Sequence, residues 1–309
     1  MSTGIKVFAP ATIANVACGF DILGFAIEQP GDEIIAKLSD KPGVHITRIT
    51  GDGGKLPYEA AHNTAGVAAQ KVLDFLGEKR GVEMEIHKKM PFGSGLGSSA
   101  ASAVAGAFIV NELLKHPLEK RQLLPFAVQG EAIASGSVHA DNVAPCLLGG
   151  MVLVRDNATL DVHRIPSPKG LYVAVVYPHL SILTKDARAI LKSEITLKQH
   201  IQQNANLGGL LVGLFRGDIE LISRSLQDVI IEPQRALMIT GFDDVKEAAL
   251  ESGALGCSIS GAGPSVFALC KNTLDAETVG MAMQKAFLQH NINADLYLSP
   301  INHEGVRLL

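Results

Sequence analysis

Alternating apolar and polar residues predict half-buried strands at several places along this chain. Residues 44–49 and 82–87 follow this pattern most clearly, as expected for strands with one face against a core. Residues 63–65 open a predicted helix that extends to Leu76, and either Asn63 or Thr64 can serve as its N-cap. The long run of small and apolar residues at 98–114 predicts a second, buried helix.

The same pattern divides the chain into two parts. The second half opens with an apolar strand at 171–177, continues through several helical segments and ends with a strand at 293–298. Strands and helices therefore recur in both halves without strict alternation, which indicates an α+β protein of two lobes. Because residues 156–170 are polar and contain prolines, we predict domains at 1–165 and 166–309.

Composition narrows the class of protein. Hydrophobic residues make up 47% of the 309 residues and charged residues 19%, as in compact soluble proteins. The net charge of −4, without any basic run, argues against a nucleic-acid partner. The apolar runs are too short to span a membrane and no export signal is visible, so we expect a cytoplasmic protein. Scattered cysteines without Cys-x-x-Cys spacing suit a reducing compartment and argue against zinc or disulfides: Cys18, Cys146, Cys257 and Cys270.

A glycine-rich segment immediately precedes the predicted buried helix. Gly93, Gly95 and Gly97 alternate with other residues, and Ser98 and Ser99 follow. Glycine lets a backbone approach a ligand closely, and the first N–H groups of a helix attract anions. The serine hydroxyls can bond phosphate or a metal ion. The segment therefore predicts a triphosphate site, because a flexible linker would not run directly into a buried helix.

Two other phosphate-binding loops do not fit this segment. The Walker A pattern requires a lysine after the last glycine, and none follows here. A dinucleotide fingerprint can be placed on Gly95, Gly97 and Ala100, but it needs buried parallel strands before and after the helix. The preceding strand at 82–87 alternates as a half-exposed strand does, and another helical segment follows. We therefore exclude both.

Isolated polar residues elsewhere allow two interpretations. Asn15 and Asp21 lie in an apolar stretch, either as turn formers or as groups of a binding site. Glu131 follows a neutral stretch and is either a solvent-facing residue or a magnesium ligand. Lys88 and Lys89 either complement the charge of a phosphate or are exposed residues at the end of a strand, and we favour the second interpretation.

Two further segments carry candidate chemistry. His139, Asp141 and Asn142 form a polar group that is denser than an ordinary loop requires. Residues 258–265 form a second glycine-rich segment, for which a hairpin turn is a sufficient explanation. Neither segment identifies a reaction by itself.

Together, three segments resemble the signature motifs of the GHMP kinases, a family of small-molecule kinases. They are residues 9–24, 91–101 and 258–265, and the resemblance extends over nearly the whole chain. It implies a two-lobed fold, with an N-terminal lobe like ribosomal protein S5 domain 2 and a C-terminal ferredoxin-like lobe. Residues 15–21, 139–145 and 232–235 are most similar to the branch that phosphorylates L-homoserine.

The resemblance implies a reaction and a set of site residues. The reaction is transfer of the γ-phosphoryl of ATP, with Mg²⁺, to the hydroxyl of L-homoserine, a step toward threonine. The implied ATP-binding residues are Asn63, Pro91, Gly93, Ser94, Gly95, Leu96, Gly97, Ser98, Ser99 and Ala100. The implied magnesium ligands are Ser99 and Glu131. The implied substrate-binding residues are Asn15, Asp21, His139, Asp141, Asn142, Thr184, Arg188, Arg235, Ser260 and Gly261.

Within this set, the resemblance implies that Asp21 binds the ammonium of homoserine and that Arg188 and Arg235 bind its carboxylate. A guanidinium fork suits a carboxylate. Other substrates of the family, such as mevalonate, sugars and shikimate, lack this pair of charges. Another kinase of the family and a non-catalytic ligand sensor remain the alternatives. The resemblance also allows a homodimer.

The catalytic group implied by the resemblance is Asn15, His139, Asp141 and Asn142. One departure affects it: mevalonate-type members carry a lysine where this chain has Thr12. A general base needs contact with the proton that it removes, and the missing lysine leaves that role of Asp141 open. Our hypothesis is direct attack by the bound hydroxyl, oriented by Asn142.

Overall fold

The structure is a computed structural model that describes residues 4–136 and 139–309. Its strands are β1 Ile5–Ala14, β2 Leu23–Ser39, β3 Val44–Thr50, β4 Gly81–His87, β5 Met151–Asp156, β6 Asp161–Ile165, β7 Tyr172–Pro178, β8 Gly256–Ile259, β9 Val266–Cys270, β10 Ala294–Pro300 and β11 Arg307–Leu308. Its helices are α1 Thr64–Leu76, α2 Ser98–Leu113, α3 Leu124–Ser135, α4 Val143–Leu148, α5 Thr184–Ala189, α6 Leu197–Arg216, α7 Ile219–Ser225, α8 Glu232–Arg235, α9 Phe242–Glu251 and α10 Thr273–Gln289. Short 3₁₀ turns lie at Ala60–His62, Lys120–Leu123 and Ala236–Met238.

The first lobe is built on a sheet with the order β11-β1-β2-β4-β3. The long strand β2 also pairs through its first residues with β5, which in turn pairs with β6. Pairing is antiparallel except between β3 and β4. Because β11 comes from the end of the chain, the first lobe is completed by residues that the division at 165 assigned to the second.

Helix α2 is the central helix of the first lobe. It packs on β1 and β2 and lies against α1 and α3, so that every side chain from Ala100 to Asn111 is buried. Small residues make this possible. Gly106 lies directly against the backbone of Ala65 in α1, and an added Cβ would overlap it. The alanine-rich composition of α2 therefore reflects close packing on all sides.

The second lobe is an antiparallel sheet with the order β10-β7-β9-β8, covered by α9 and α10. The lobes share apolar contacts. The rings of Phe25 in β2 and Phe267 in β9 meet edge to face with centroids 6.1 Å apart, and an isolated bridge joins Ile27 and Ile301. The predicted α+β, two-lobed organisation is confirmed, and apolar contacts join the two lobes.

Three elements differ from the sequence prediction. The polar segment at 156–170 contains a strand, β6, which pairs at the edge with β5. The sequence pattern predicts one helical region from Thr184 to Leu214, whereas the structure has two helices there, because Thr196 and Gln199 form a capping box that starts α6. The pattern also predicts a helix at 120–134, and the 3₁₀ turn Lys120–Leu123 takes the place of its first turn.

Candidate active site

A cleft of about 310 Å³ lies between the two lobes. It is bordered by the glycine loop (residues 91–97), the β1–β2 loop (residues 15–22), α5, and the second glycine loop (residues 260–265). Most of the predicted site residues line it: Asn15, Asp21, Gly93, Ser94, Gly95, Leu96, Gly97, Ser98, Ser99, Glu131, His139, Asp141, Asn142, Thr184, Arg188, Arg235 and Gly261.

The glycine loop ends in the N-terminus of α2. Gly93, Gly95 and Gly97 all have positive φ, at 62°, 79° and 69°, so this backbone requires glycine. Gly97 is the N-cap of α2 and offers no side chain to the first N–H groups of the helix. These donors face the cleft region, where they can bind the oxygens of a phosphate.

The second glycine loop joins the first across the lobe boundary. The Ser260 hydroxyl donates to the carbonyl oxygen of Gly95 at 2.7 Å. The backbone N–H of Ser265 donates to the carbonyl oxygen of Ser94 at 3.1 Å. An added Cβ on Gly95 would overlap the carbonyl oxygens of Ser260 and Gly263. Residues 260–265 do form the hairpin turn between β8 and β9, and they also fix the glycine loop.

Lys88 was wrongly interpreted as an exposed residue. Its side chain is 2% exposed and forms an ion pair with the equally buried Asp32. It also donates to the carbonyl oxygen of Ser98 at 2.8 Å and to the hydroxyl of Ser102 at 2.7 Å. Lys88 lines the cleft and places a positive charge below the start of α2.

The alternation of buried and exposed residues in β4 indicates that Lys88 is buried. Val82, Met84 and Ile86 are the buried positions of β4, and Lys88 continues the same alternation. Its partner Asp32 also accepts the backbone N–H groups of Lys89 and Met90, at 2.7 and 3.1 Å. Asp32 thus anchors the residues that enter the glycine loop.

Ser99 and Glu131 form a pair of oxygen donors on the cleft wall. The Ser99 hydroxyl donates to Glu131 Oε1 at 2.8 Å. Burial of the carboxylate raises the pKa of Glu131 to about 7, so the solvent-facing interpretation was wrong. One carboxylate and one hydroxyl beside a phosphate loop fit Mg²⁺, which keeps few protein ligands. Among the residues that the structure describes, no cluster of three or more His, Cys, Asp or Glu could hold a metal.

The β1–β2 loop has an unusual backbone. Asn15, Val16, Ala17 and Asp21 have positive φ, between 44° and 72°, although none is glycine. Such conformations are uncommon for these residue types, especially for the β-branched Val16, and often occur at functional sites.

Asn15 holds this loop in place. Its side-chain oxygen accepts the backbone N–H of Asp21 at 3.1 Å, and its nitrogen donates to the carbonyl oxygen of Gly261 at 2.9 Å. Asn15 therefore stabilises its own loop, as the turn interpretation expects, and also joins the first lobe to the second glycine loop.

Acidic and basic groups meet at the far end of the cleft from the glycine loop. The guanidinium of Arg188 in α5 donates to both carboxylate oxygens of Asp21, at 2.9 and 3.0 Å. This bond raises the pKa of Arg188. Arg235 in α8 is buried and donates to the carbonyl oxygens of Ala187 and Gly261, at 3.2 and 2.8 Å. Asp21 thus binds the side chain of Arg188 in the other lobe, a contact that the turn interpretation does not include.

His139 and Asp141 lie beside this charged group. His139 Nδ1 is 3.7 Å from Asp21 Oδ2, and burial lowers the pKa of the imidazole. Burial and, secondarily, the charge of Asp21 raise the pKa of Asp141 to about 7. Asp141 can therefore change protonation near neutral pH, whereas burial favours the neutral form of His139.

Asn142 is oriented by Thr12, the residue that replaces the lysine of mevalonate-type members. The buried Thr12 hydroxyl donates to Asn142 Oδ1 at 2.7 Å. An added Cβ on Gly97 would overlap both side chains, so the glycine leaves room for this bond. Because its oxygen accepts this bond, the Asn142 amide can donate a hydrogen bond from its nitrogen to a ligand in the cleft.

Four predicted residues do not line the cleft: Asn63, Pro91, Ala100 and Ser260. Asn63 is 3% exposed and caps α1, since its oxygen accepts the N–H groups of Ala65 and Gly66. Its side-chain nitrogen donates to the Pro57 carbonyl oxygen. The oxygen and the nitrogen of the carboxamide are both bonded inside the protein, so the contacts of Asn63 are those of a helix cap, and its role in ATP binding stays a prediction. Residues that line the cleft without having been predicted include Leu56, Thr64, Lys88, Phe92, Ser102 and Ala262.

Family models match both lobes of this chain. The model described as "GHMP kinases N terminal domain" matches residues 63–150, and "GHMP kinases C terminal" matches residues 210–289. Together they cover more than half of the chain. The chain belongs to the GHMP kinase family. It is therefore an ATP-dependent kinase, and the predicted family fold is confirmed.

Relatives and solved structures cover the full length. The chain is 48% identical to homoserine kinase of Chlorobium phaeobacteroides (strain DSM 266), covering 99% of each chain. It is 41% identical to homoserine kinase of Xylella fastidiosa (strain 9a5c), covering 98% of this chain and 94% of that one. The crystal structure of homoserine kinase from Cytophaga hutchinsonii is 55% identical, with a TM-score of 0.98, over 100% of this chain and 98% of that one. L. major mevalonate kinase shares the fold, at 19% identity and a TM-score of 0.69, over 97% of this chain and 99% of that one.

Within residues 4–136 and 139–309, every helix is too short or too polar to span the bilayer.

Proposed function

We propose that this kinase transfers the γ-phosphoryl of ATP to the side-chain hydroxyl of L-homoserine, giving O-phospho-L-homoserine on the way to threonine. The observation that carries the proposal is the charged group formed by Asp21, Arg188 and Arg235. One carboxylate beside two guanidinium groups complements the ammonium and carboxylate of an amino acid. The full-length relatives named homoserine kinase support the same substrate.

Substrate binding requires an exchange of partners. Asp21 and Arg188 bond to each other, so an entering amino acid separates them, and its ammonium and carboxylate replace the lost contacts. Arg235 keeps its bonds to backbone oxygens and adds the substrate carboxylate. A ligand with only one of the two charges leaves one partner unpaired, which disfavours its binding.

The ATP phosphates bind at the other end of the cleft. The N-terminus of α2 and the backbone of the glycine loop supply N–H donors, and Lys88 supplies a fixed positive charge. Ser99 and Glu131 are the residues that would hold Mg²⁺. When bound, the ion neutralises charge on the phosphate oxygens. This arrangement positions the γ-phosphoryl between the glycine loop and Asn142.

The reaction itself needs mainly positioning. The homoserine hydroxyl oxygen bonds to the γ-phosphorus, and the bond to the β–γ bridging oxygen breaks, with its electron pair leaving on ADP. The Asn142 nitrogen donates to the transferring group. In direct attack the hydroxyl proton passes to a phosphoryl oxygen. Asp141, with its pKa raised to about 7, is the competing acceptor.

Replacing Asp141 by Asn separates these routes. Under direct attack, Asp141→Asn changes turnover little, because the carboxylate does not take the proton. A large loss of turnover with unchanged homoserine binding would make Asp141 the general base. Turnover is measured by steady-state kinetics, and binding by calorimetry with a non-hydrolysable ATP analogue present.

The test of the function is ADP formation from Mg·ATP with L-homoserine, beside mevalonate, shikimate and galactose. We expect a clear preference for L-homoserine. Preference for another alcohol would retain the phosphate site but reject the role of Asp21, Arg188 and Arg235. ATP binding without turnover of any acceptor would favour a ligand sensor.

We also propose that the protein is a homodimer. One face of α6 exposes Leu197, Ile201, Val212 and Phe215, although an exposed helix face is normally polar. This face supports a second copy as its partner, since isologous interfaces use one surface twice. Light scattering of the purified protein should give twice the mass of the chain, and Phe215→Asp should reduce it. An unchanged dimer in that variant would exclude this face.

A further inference from the structure

Phe20 contacts both arginines of the charged group. The guanidinium carbon of Arg188 lies 5.4 Å from the centre of the Phe20 ring, and that of Arg235 lies 5.0 Å from it. Both distances are within the range of cation–π attraction. The ring is partly buried in the β1–β2 loop, directly before Asp21.

Two guanidinium groups that serve one carboxylate must lie close together, and their charges repel. Burial and then the charge of Arg188 lower the pKa of Arg235, so the repulsion acts on a group with few exposed atoms. The hydrogen-bond partners of Arg235 are the neutral carbonyl oxygens of Ala187 and Gly261. The negative face of an aromatic ring attracts both cations without competing for the hydrogen bonds that the substrate carboxylate needs.

The ring matters most during the exchange of partners. When the ammonium of the substrate binds to the Asp21 carboxylate, Arg188 loses its two hydrogen bonds to that carboxylate. Arg188 lies in the short helix α5 with a side chain that is 40% exposed, so a free guanidinium could turn toward solvent. Phe20 keeps its contact with Arg188 throughout this step.

We infer that Phe20 is a positioning residue that holds Arg188 and Arg235 against one aromatic ring, ready for the carboxylate of the substrate. The inference rests on the proposed function, which supplies that carboxylate. It assigns specificity to a side chain that need not touch the substrate. Phe20 acts through the arginines, so its loss should affect the binding of carboxylate-bearing substrates more than the chemical step.

The test compares Phe20→Leu and Phe20→Met, which remove the ring, with Phe20→Tyr, which keeps it. Without the ring, we expect the KM for L-homoserine to rise about tenfold, while kcat and the KM for ATP stay within about twofold. Phe20→Tyr should stay close to the wild type. Thermal unfolding and ATP binding show that each variant is folded, and Met, which conserves volume, serves if Leu does not fold.

A second substrate separates positioning from general damage. 3-Amino-1-propanol is homoserine without its carboxylate, and its kcat/KM can be measured from initial rates even when binding is weak. Loss of the ring should leave this value unchanged. Equal losses for both substrates, or an unchanged KM for L-homoserine, would overturn the inference. Failure of the wild-type protein to phosphorylate L-homoserine would instead overturn the proposed function.

Discussion

The two ends of the cleft are built in different ways. The phosphate end is made largely of backbone from one continuous stretch, the glycine loop and the first turn of α2. The amino-acid end is made of side chains from separate segments: Asp21 from the first lobe, and Arg188 and Arg235 from the second. A site made of local backbone can be recognised in sequence, whereas a site assembled from distant side chains depends on the whole fold.

Their supports differ as well. The glycine loop bonds to the second glycine loop across the lobe boundary, but its charged support is a buried ion pair within the first lobe, Asp32 and Lys88. The amino-acid end is supported by bonds between the lobes, from Asn15 and Arg235 to the carbonyl oxygen of Gly261. Disruption of the first support should therefore damage the fold, and disruption of the second should damage substrate binding.

The largest effect is expected from Asp32→Asn. This change leaves Lys88 buried without a counter-charge, and loss of one partner of a buried pair costs about 3–5 kcal/mol. The free energy of unfolding, measured by urea denaturation, should fall by this amount, and ATP binding should weaken with it. Glu83→Gln removes an exposed ion pair with Lys37 in the same sheet and should change stability little. Equal effects of the two changes would show that burial of the first pair is unimportant.

Arg235→Lys should have the next largest effect, on the amino-acid end alone. A lysine cannot reproduce the fork that bonds Ala187 and Gly261 and still faces the substrate. We expect the KM for L-homoserine to rise about 100-fold, as loss of a charged hydrogen bond implies, with the KM for ATP unchanged. Arg224→Lys, an exposed position outside the cleft lining, is the matched control. A rise in both KM values would mean that the two ends are not independent.

The contrast between the two ends also explains how far the sequence could predict this site. The glycine loop, α1 and α2 were predicted with nearly correct bounds, because alternating glycines and buried alanines act locally. The pairing of Asp21 with Arg188 spans 167 positions, so no local pattern contains it. The resemblance supplied these residues but not their bond.

For two residues the local pattern was a better guide than either residue type or resemblance. Lys88 was misread because isolated lysines are usually exposed, although its place in the strand alternation pointed to the buried face. The resemblance assigned Asn63 to ATP binding, whereas the local rule for helix N-caps predicted the bonds that it makes.

A pH dependence should sharpen the contrast at the phosphate end. Burial raises the pKa of Glu131 to about 7, so below pH 7 the carboxyl is mostly protonated and a metal ion must displace the proton. Affinity for Mg·ATP should then fall by up to about tenfold per pH unit below 7. Calorimetry in buffers of different ionisation enthalpy should detect proton release on binding. Glu131→Gln should remove the release that depends on this residue.

The same shift has an opposite effect on the metal-free fold. A carboxyl whose folded pKa is raised stabilises the fold below its unfolded pKa, near 4.5, and this contribution is lost as pH rises toward 7. Stability of the metal-free protein should therefore decline over this range, and less so in Glu131→Gln. Absence of both effects would indicate that the carboxylate is not buried when the enzyme is free.

The smallest effect is expected from Thr12→Val, at the boundary between the two ends. Valine has nearly the same shape as threonine but cannot donate to Asn142 Oδ1, which leaves that oxygen without its partner. The amide can then turn, so its nitrogen faces the transferring phosphoryl in only part of the molecules. We expect kcat to fall about fivefold, equivalent to loss of about 1 kcal/mol, with both KM values little changed. Thr12→Ser keeps the hydroxyl and should retain most of the activity. If serine and valine reduced kcat equally, the methyl packing of Thr12 would be what matters. The threonine at the place of the missing lysine would then not orient Asn142.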